Sequence, residues 1–117
     1  MVTTSHLEQL FFIEKEIILI NRIIAEIEAE IKAYNFTSEN RAILKILSSH
    51  LKRIIKQSEK ANQFIDSIQY PDIKQAVILK YKKLYSWQKT ARKSGSIYSP
   101  DTLRIVCKRY IEKHCND

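Results

Sequence analysis

The chain has 117 residues, of which 44% are hydrophobic and 28% charged. That fits one compact domain, or one module with a long assembly element, and excludes a low-complexity disordered chain. One glycine and two prolines are too few for the tight turns of a sheet protein of this length, which leaves an all-α fold, and the net charge of +7 points to an anionic partner.

Ser5 followed by Glu8 reads as a capping box opening the first helix. Apolar residues then fall at Leu10, Ile13, Ile17, Ile20, Ile24, Ile27, Ile31 and Tyr34, in alternating steps of 3 and 4. This is an uninterrupted heptad seam. Leu7, Phe11, Phe12, Ile18, Leu19 and Ile23 lie beside it, so the first half of the helix is apolar on most of its circumference. One antiparallel neighbour covers one side only, so an oligomer is expected, with Leu10, Ile13, Ile17, Ile20, Ile24, Ile27 and Ile31 as its seam. The stretch from Leu10 to Ile27 is interrupted by Glu14, Lys15, Glu16, Asn21, Arg22 and Glu26, which excludes a membrane span.

Asn35-Phe36-Thr37-Ser38 is a short break with a capping residue, and a second helix is expected from about Glu39 to Gln69. Its seam is Leu44, Leu47, Leu51, Ile54, Ser58, Ala61, Ile65 and Ile68. A break this short between two long helices implies an antiparallel hairpin. Isoleucine at both seam positions disfavours a parallel two-stranded coil, and Glu14, Glu16, Glu28 and Glu30 would repel across one. A dimer of hairpins forming a four-helix bundle, or a higher oligomer, resolves both problems.

Pro71-Asp72 suits a helix start and divides the chain into a hairpin, residues 1–70, and a basic module, residues 71–117. Residues 1–36 carry three basic and six acidic side chains, residues 37–70 six and three, and residues 71–117 eleven and four, for net charges of −3, +3 and +7. Such a concentration favours a polyanion, against the plainer reading of a solvated basic surface. Ile73, Val77, Ile78 and Tyr81 mark a short third helix. Ser86 caps a fourth, through about Lys93, and Ser94-Gly95-Ser96 is a turn. Ser99 caps a fifth, with Pro100 at its first position, running to about His114.

Helix, glycine turn and capped helix make a helix-turn-helix outline, which places the second helix in the major groove. Leu103, Val106, Cys107, Tyr110 and Ile111 form the buried face of that helix, and Asp101, Arg104, Ile105 and Lys108 the opposite one. Arg104 and Lys108 are the candidate base or phosphate contacts, with Asp101 beside them, while Ser99 and Thr102 anchor the helix on the backbone. Lys89, Arg92 and Lys93 belong to a run with Lys80, Lys82 and Lys83 that is either a solvated face or a set of phosphate contacts.

The stretch Ile78-Leu79-Lys80-Tyr81, then Ser86-Trp87, Ala91, Gly95, Ser99, Thr102 and Leu103, resembles region 4 of bacterial sigma factors. It resembles more closely the small phage regulators of late transcription of the ArpU and RinA type, which carry a long helical region ahead of their DNA-binding motif. The likeness covers about 35 residues, by the motif's own helix-turn-helix extent. It departs from the pattern at Thr90 and Ser94, where aliphatic residues normally pack the two helices together, and the turn is longer by Ser96-Ile97. Either Ile97 fills the space beside position 94, or the motif has been turned to binding protein.

Trp87 reads as a core anchor, and Tyr81 and Tyr85 as packing residues. Cys107, His114 and Cys115 have no usual zinc spacing, and His6 and His50 stand alone in other helices, so no metal or other cofactor is expected. With no secretory signal, the cysteines read as reduced thiols and the location as cytoplasmic, in the host cell if phage-encoded. No phosphate loop, nucleophile elbow or catalytic carboxylate pair is present, which argues against an enzyme. The expectation is a phage-type transcription regulator that binds double-stranded DNA and oligomerises through its hairpin. The alternative is a small phage protein that binds a host complex, a polymerase or a defence nuclease.

Overall fold

The computed structural model describes residues 2–34 and 38–115. The expected break at Asn35–Thr37 and the side chain of Tyr34 lie outside it. Among the described residues five α-helices follow one another: α1 (Thr4–Tyr34), α2 (Ser38–Asp66), α3 (Pro71–Val77), α4 (Trp87–Ser94) and α5 (Pro100–His114). A π-helical turn, Ile78–Lys82, extends α3. There is no strand among the described residues. Among the described residues, no helix is long and apolar enough to cross a membrane.

The described residues form two compact units, one of residues up to Phe11 and from Glu59 onward, the other Phe12–Ser58. This grouping differs from the division expected at Tyr70–Pro71. The ends of both long helices pack with the C-terminal helices, because Leu7, Leu10, Ala61, Phe64, Ile65 and Ile68 share one core with Ala76, Val77, Leu103, Cys107 and Ile111.

The second unit is the hairpin. Ile13 and Ile20 of α1 bury against Ile54 of α2, with Ile17, Ile24, Leu47 and Leu51 packed around them. These are the seam residues read from the heptad spacing. They face the chain's own second helix, where Ile13 and Ile20 are buried and Ile17 and Ile24 half-buried, and Leu10 is enclosed in the other core. Ile27 and Ile31 are half-buried. The large apolar side chains left outside are Phe12, Ile18, Leu19, Ile43 and Ile46. Glu16 accepts a hydrogen bond from His50 Nε2 at 2.8 Å across the hairpin, and Arg53 donates to His50 Nδ1. A ring that accepts at Nδ1 carries its proton on Nε2, so this chain of three fixes the tautomer.

Local details differ from expectation where side chains compete to cap. α1 is opened by Thr3, whose Oγ1 accepts from His6 N at 3.3 Å, while His6 Nδ1 accepts from Thr3 N at 3.1 Å. The reciprocal pair is a capping box with histidine as its second member, and it displaces the box expected at Ser5 and Glu8. α2 ends at Asp66, short of Gln69, because Ser67 turns its hydroxyl back to Phe64 O at 2.6 Å.

Candidate nucleic-acid interface

α3, the π turn, α4 and α5 pack on one another within the first unit. Pro71 starts α3, as expected, at the first helical position with Tyr70 extended before it. After Val77 the ladder widens: Lys83 N donates to Ile78 O at 3.3 Å, an i to i+5 bond. The turn buries Leu79 as well as Tyr81, and the segment leaves it through Leu84 at φ 58°. Ser86 then caps α4, its Oγ accepting from Lys89 N at 3.1 Å.

α4 sets Trp87 and Ala91 against the core and buries Thr90 completely. Thr90 Oγ1 has no hydrogen-bond partner. The position where the regulator pattern calls for an aliphatic residue is thus a core position. Ser94 is half-buried and donates to Ala91 O at 3.3 Å, and Ile97 is 89% exposed, so Ile97 does not fill the space beside it. Gly95 ends α4 at φ 66° with its N–H on Ala91 O. A methyl group there would meet nothing within 4 Å, so the backbone angle alone requires glycine.

Ser99 caps α5 as expected. Its Oγ accepts from Thr102 N at 3.3 Å and donates to Thr102 Oγ1 at 3.0 Å, which leaves the Thr102 hydroxyl hydrogen as a donor. Pro100 contributes no N–H to this helix end, and Asp101 puts a carboxylate on it. The N-terminus of α5 is therefore a weaker anion site than its cap suggests.

Leu103, Cys107 and Ile111 are buried and Val106 and Tyr110 half-buried, the inward face read from spacing. Ser99, Asp101, Thr102 and Lys108 are exposed and Arg104 half-exposed; Asp101, Arg104 and Lys108 recur at helical spacing and make one stripe. On α4, Arg92 and Lys93 are exposed, whereas Lys89 holds its Nζ 4.0 Å from the centre of the Tyr85 ring. Lys80 lies 5.4 Å from the centre of the Trp87 ring, and Lys82 donates to Asn62 Oδ1 at 2.7 Å. Three lysines of the basic run are therefore seated, two over aromatic faces, instead of ranging freely in solvent.

A cleft of about 240 Å³ flanks the stripe, lined by Thr4, Glu8, Tyr81, Lys108, Ile111 and Glu112. It sets Lys108 among two carboxylates, one from the first turns of α1. Burial, with Glu8, Cys107 and Cys115 adding to it, pushes the Tyr81 phenol up to about 12. Burial pushes the Cys107 thiol up to about 11, so it stays protonated and inert. Both cysteines are free, and no group of three or more potential metal-ligating side chains occurs among the described residues. Glu8 is the neighbour that sequence spacing could not reveal, since it approaches α5 only through the fold. The Thr-x-x-His signal of the α1 cap was readable; the π turn has none.

No family model, curated protein or solved structure matches the chain.

Proposed function

We propose that this chain is a DNA-binding transcription regulator of the phage type, oligomerising through its hairpin. The observation that supports it most is the joined pair of caps. Gly95 in the left-handed region ends α4 and Ser99 starts α5, so two packed helices present Arg104 and Lys108 on a segment of net charge +7. Arginine and lysine on such a stripe pair with guanine edges or with phosphates, and Arg92 and Lys93 add backbone contacts. Lys80 and Lys89, held over rings, lose less freedom on meeting a phosphate than lysines in open solvent.

The test is fluorescence anisotropy with labelled duplex DNA across a salt titration. Steep weakening with salt is expected, with a slope of about 0.9 per phosphate neutralised. Arg104→Ala with Lys108→Ala should weaken binding by about 1–3 kcal/mol for each base-reading side chain removed. Glu8→Gln should strengthen it, because it removes a carboxylate from beside Lys108. No binding at low salt would refute the proposal.

A second reading, binding to a host protein complex, is favoured by apolar side chains around the turn. Ile97, Tyr98 and Ile105 are 89%, 38% and 40% exposed. Ile105 stands within the stripe itself, where a thymine methyl or a protein pocket would both suit it. Retention of a host complex after nuclease treatment, abolished by Ile97→Asp, would favour this reading.

A further inference from the structure

Glu16 and His50, hydrogen-bonded at 2.8 Å, identify one side of the hairpin on both of its helices. Phe12 and Leu19 stand four residues before and three after Glu16, hence on that same side of α1. Ile46 and Ile43 stand four and seven residues before His50, on the same side of α2. All four meet solvent: Phe12 is 59% exposed, Leu19 52%, Ile43 39% and Ile46 69%. A face with four large apolar side chains this exposed marks a contact surface.

The charge around the face says what covers it. Counted over the whole of each segment, residues 12–34 of α1 carry five acidic and three basic side chains and residues 38–58 of α2 one acidic and five basic, of which Lys45 and Arg53 border this face. On α1, Phe12 and Leu19 alternate with Glu16 and Glu26 along one stripe. On α2, Lys45, His50 and Arg53 rim a shallow groove of about 400 Å³ around Ile46. A partner must therefore be apolar in the middle, basic over α1 and acidic over α2. The hairpin meets that description itself. A two-fold axis running along the hairpin between its helices lays α1 of one copy over α2 of the other, twice.

We propose that this side of the hairpin is the interface between two copies of the chain. The inference rests on the oligomer in the functional reading above and supplies its contact surface. It places a pair of hairpins face to face in a four-helix bundle whose acidic and basic helices alternate. Duplex DNA is disfavoured there by Glu16 and Glu26.

Sedimentation equilibrium of the full chain tests it. The expected mass is twice the 13.8 kDa of one chain. Leu19→Asp combined with Ile46→Asp should weaken the dimer about tenfold or more, with the circular-dichroism signal of the helices unchanged. Ile18→Asp is the control, at a neighbouring residue that is 56% exposed on another side of α1, and should leave the mass unchanged. A monomeric wild type, an assembly indifferent to the double substitution, or equal dissociation by Ile18→Asp would each overturn the proposal. Salt-dependent DNA binding, measured on the same samples, separates the two ideas. Its absence from an intact dimer refutes the regulator and leaves this interface standing.

Discussion

Thr90 shows how much one atom decides. Its side chain is fully buried and its hydroxyl has no partner, so the fold bears the desolvation of a polar group without recovering a hydrogen bond. Valine has the same shape without the oxygen. Thr90→Val should therefore stabilise the protein by about 1–2 kcal/mol, seen as a higher urea midpoint at unchanged m-value. Lys108 makes the complementary point about reading a site from sequence. Its outward direction on α5 was legible from the spacing of Leu103, Cys107 and Ile111. Its neighbours were not, because Glu8 is remote in sequence and reaches the cleft only through tertiary packing. A basic stripe can be counted in a sequence, whereas its local potential depends on which carboxylates the fold delivers to it.

Among the elements, the two long helices and the two capped short ones were legible because their signals are periodic or local. The 3 and 4 spacing follows from one helix packing along another, and Ser86 and Ser99 satisfy orphan N–H groups within three residues of themselves. The segment between α3 and α4 was not legible. A π turn arises when burial of Leu79 and Tyr81 outweighs regular hydrogen bonding, and no local residue type announces it. Its exit through Leu84 at φ 58° holds a leucine where side chains are disfavoured, and the residue is 47% exposed, so it recovers little by burial. Leu84→Gly should relieve this strain and raise stability by about 0.5–1 kcal/mol after glycine's greater unfolded-state entropy is counted. Chemical denaturation of the two proteins side by side checks it, and a destabilised variant would show that Leu84 is held by its packing instead.

For the whole molecule, the packing does not respect the order of the chain. The basic C-terminal helices close their core with Leu7 and Leu10, both fully buried. The sequence division at Tyr70–Pro71 followed the change in composition, which is a surface property, whereas compact units follow burial. Leu7→Ala should consequently cost about 2–5 kcal/mol. The sole tryptophan, Trp87, packs on that core and reports the loss directly. Its fluorescence should shift at a lower denaturant concentration in the variant. An unchanged Trp87 transition would mean that the C-terminal helices hold together without α1.

The shared core also sets an order in time. Leu7 and Leu10 are synthesised long before Leu103, Cys107 and Ile111, with which they are enclosed. At about 5–20 residues per second, the intervening synthesis lasts several seconds. Throughout that interval the first turns of α1 are an apolar segment without their final cover. The hairpin can close as soon as α2 emerges, but the unit that carries the basic stripe completes only with its last helix. A nascent chain therefore closes its hairpin before it completes the unit that carries the basic stripe.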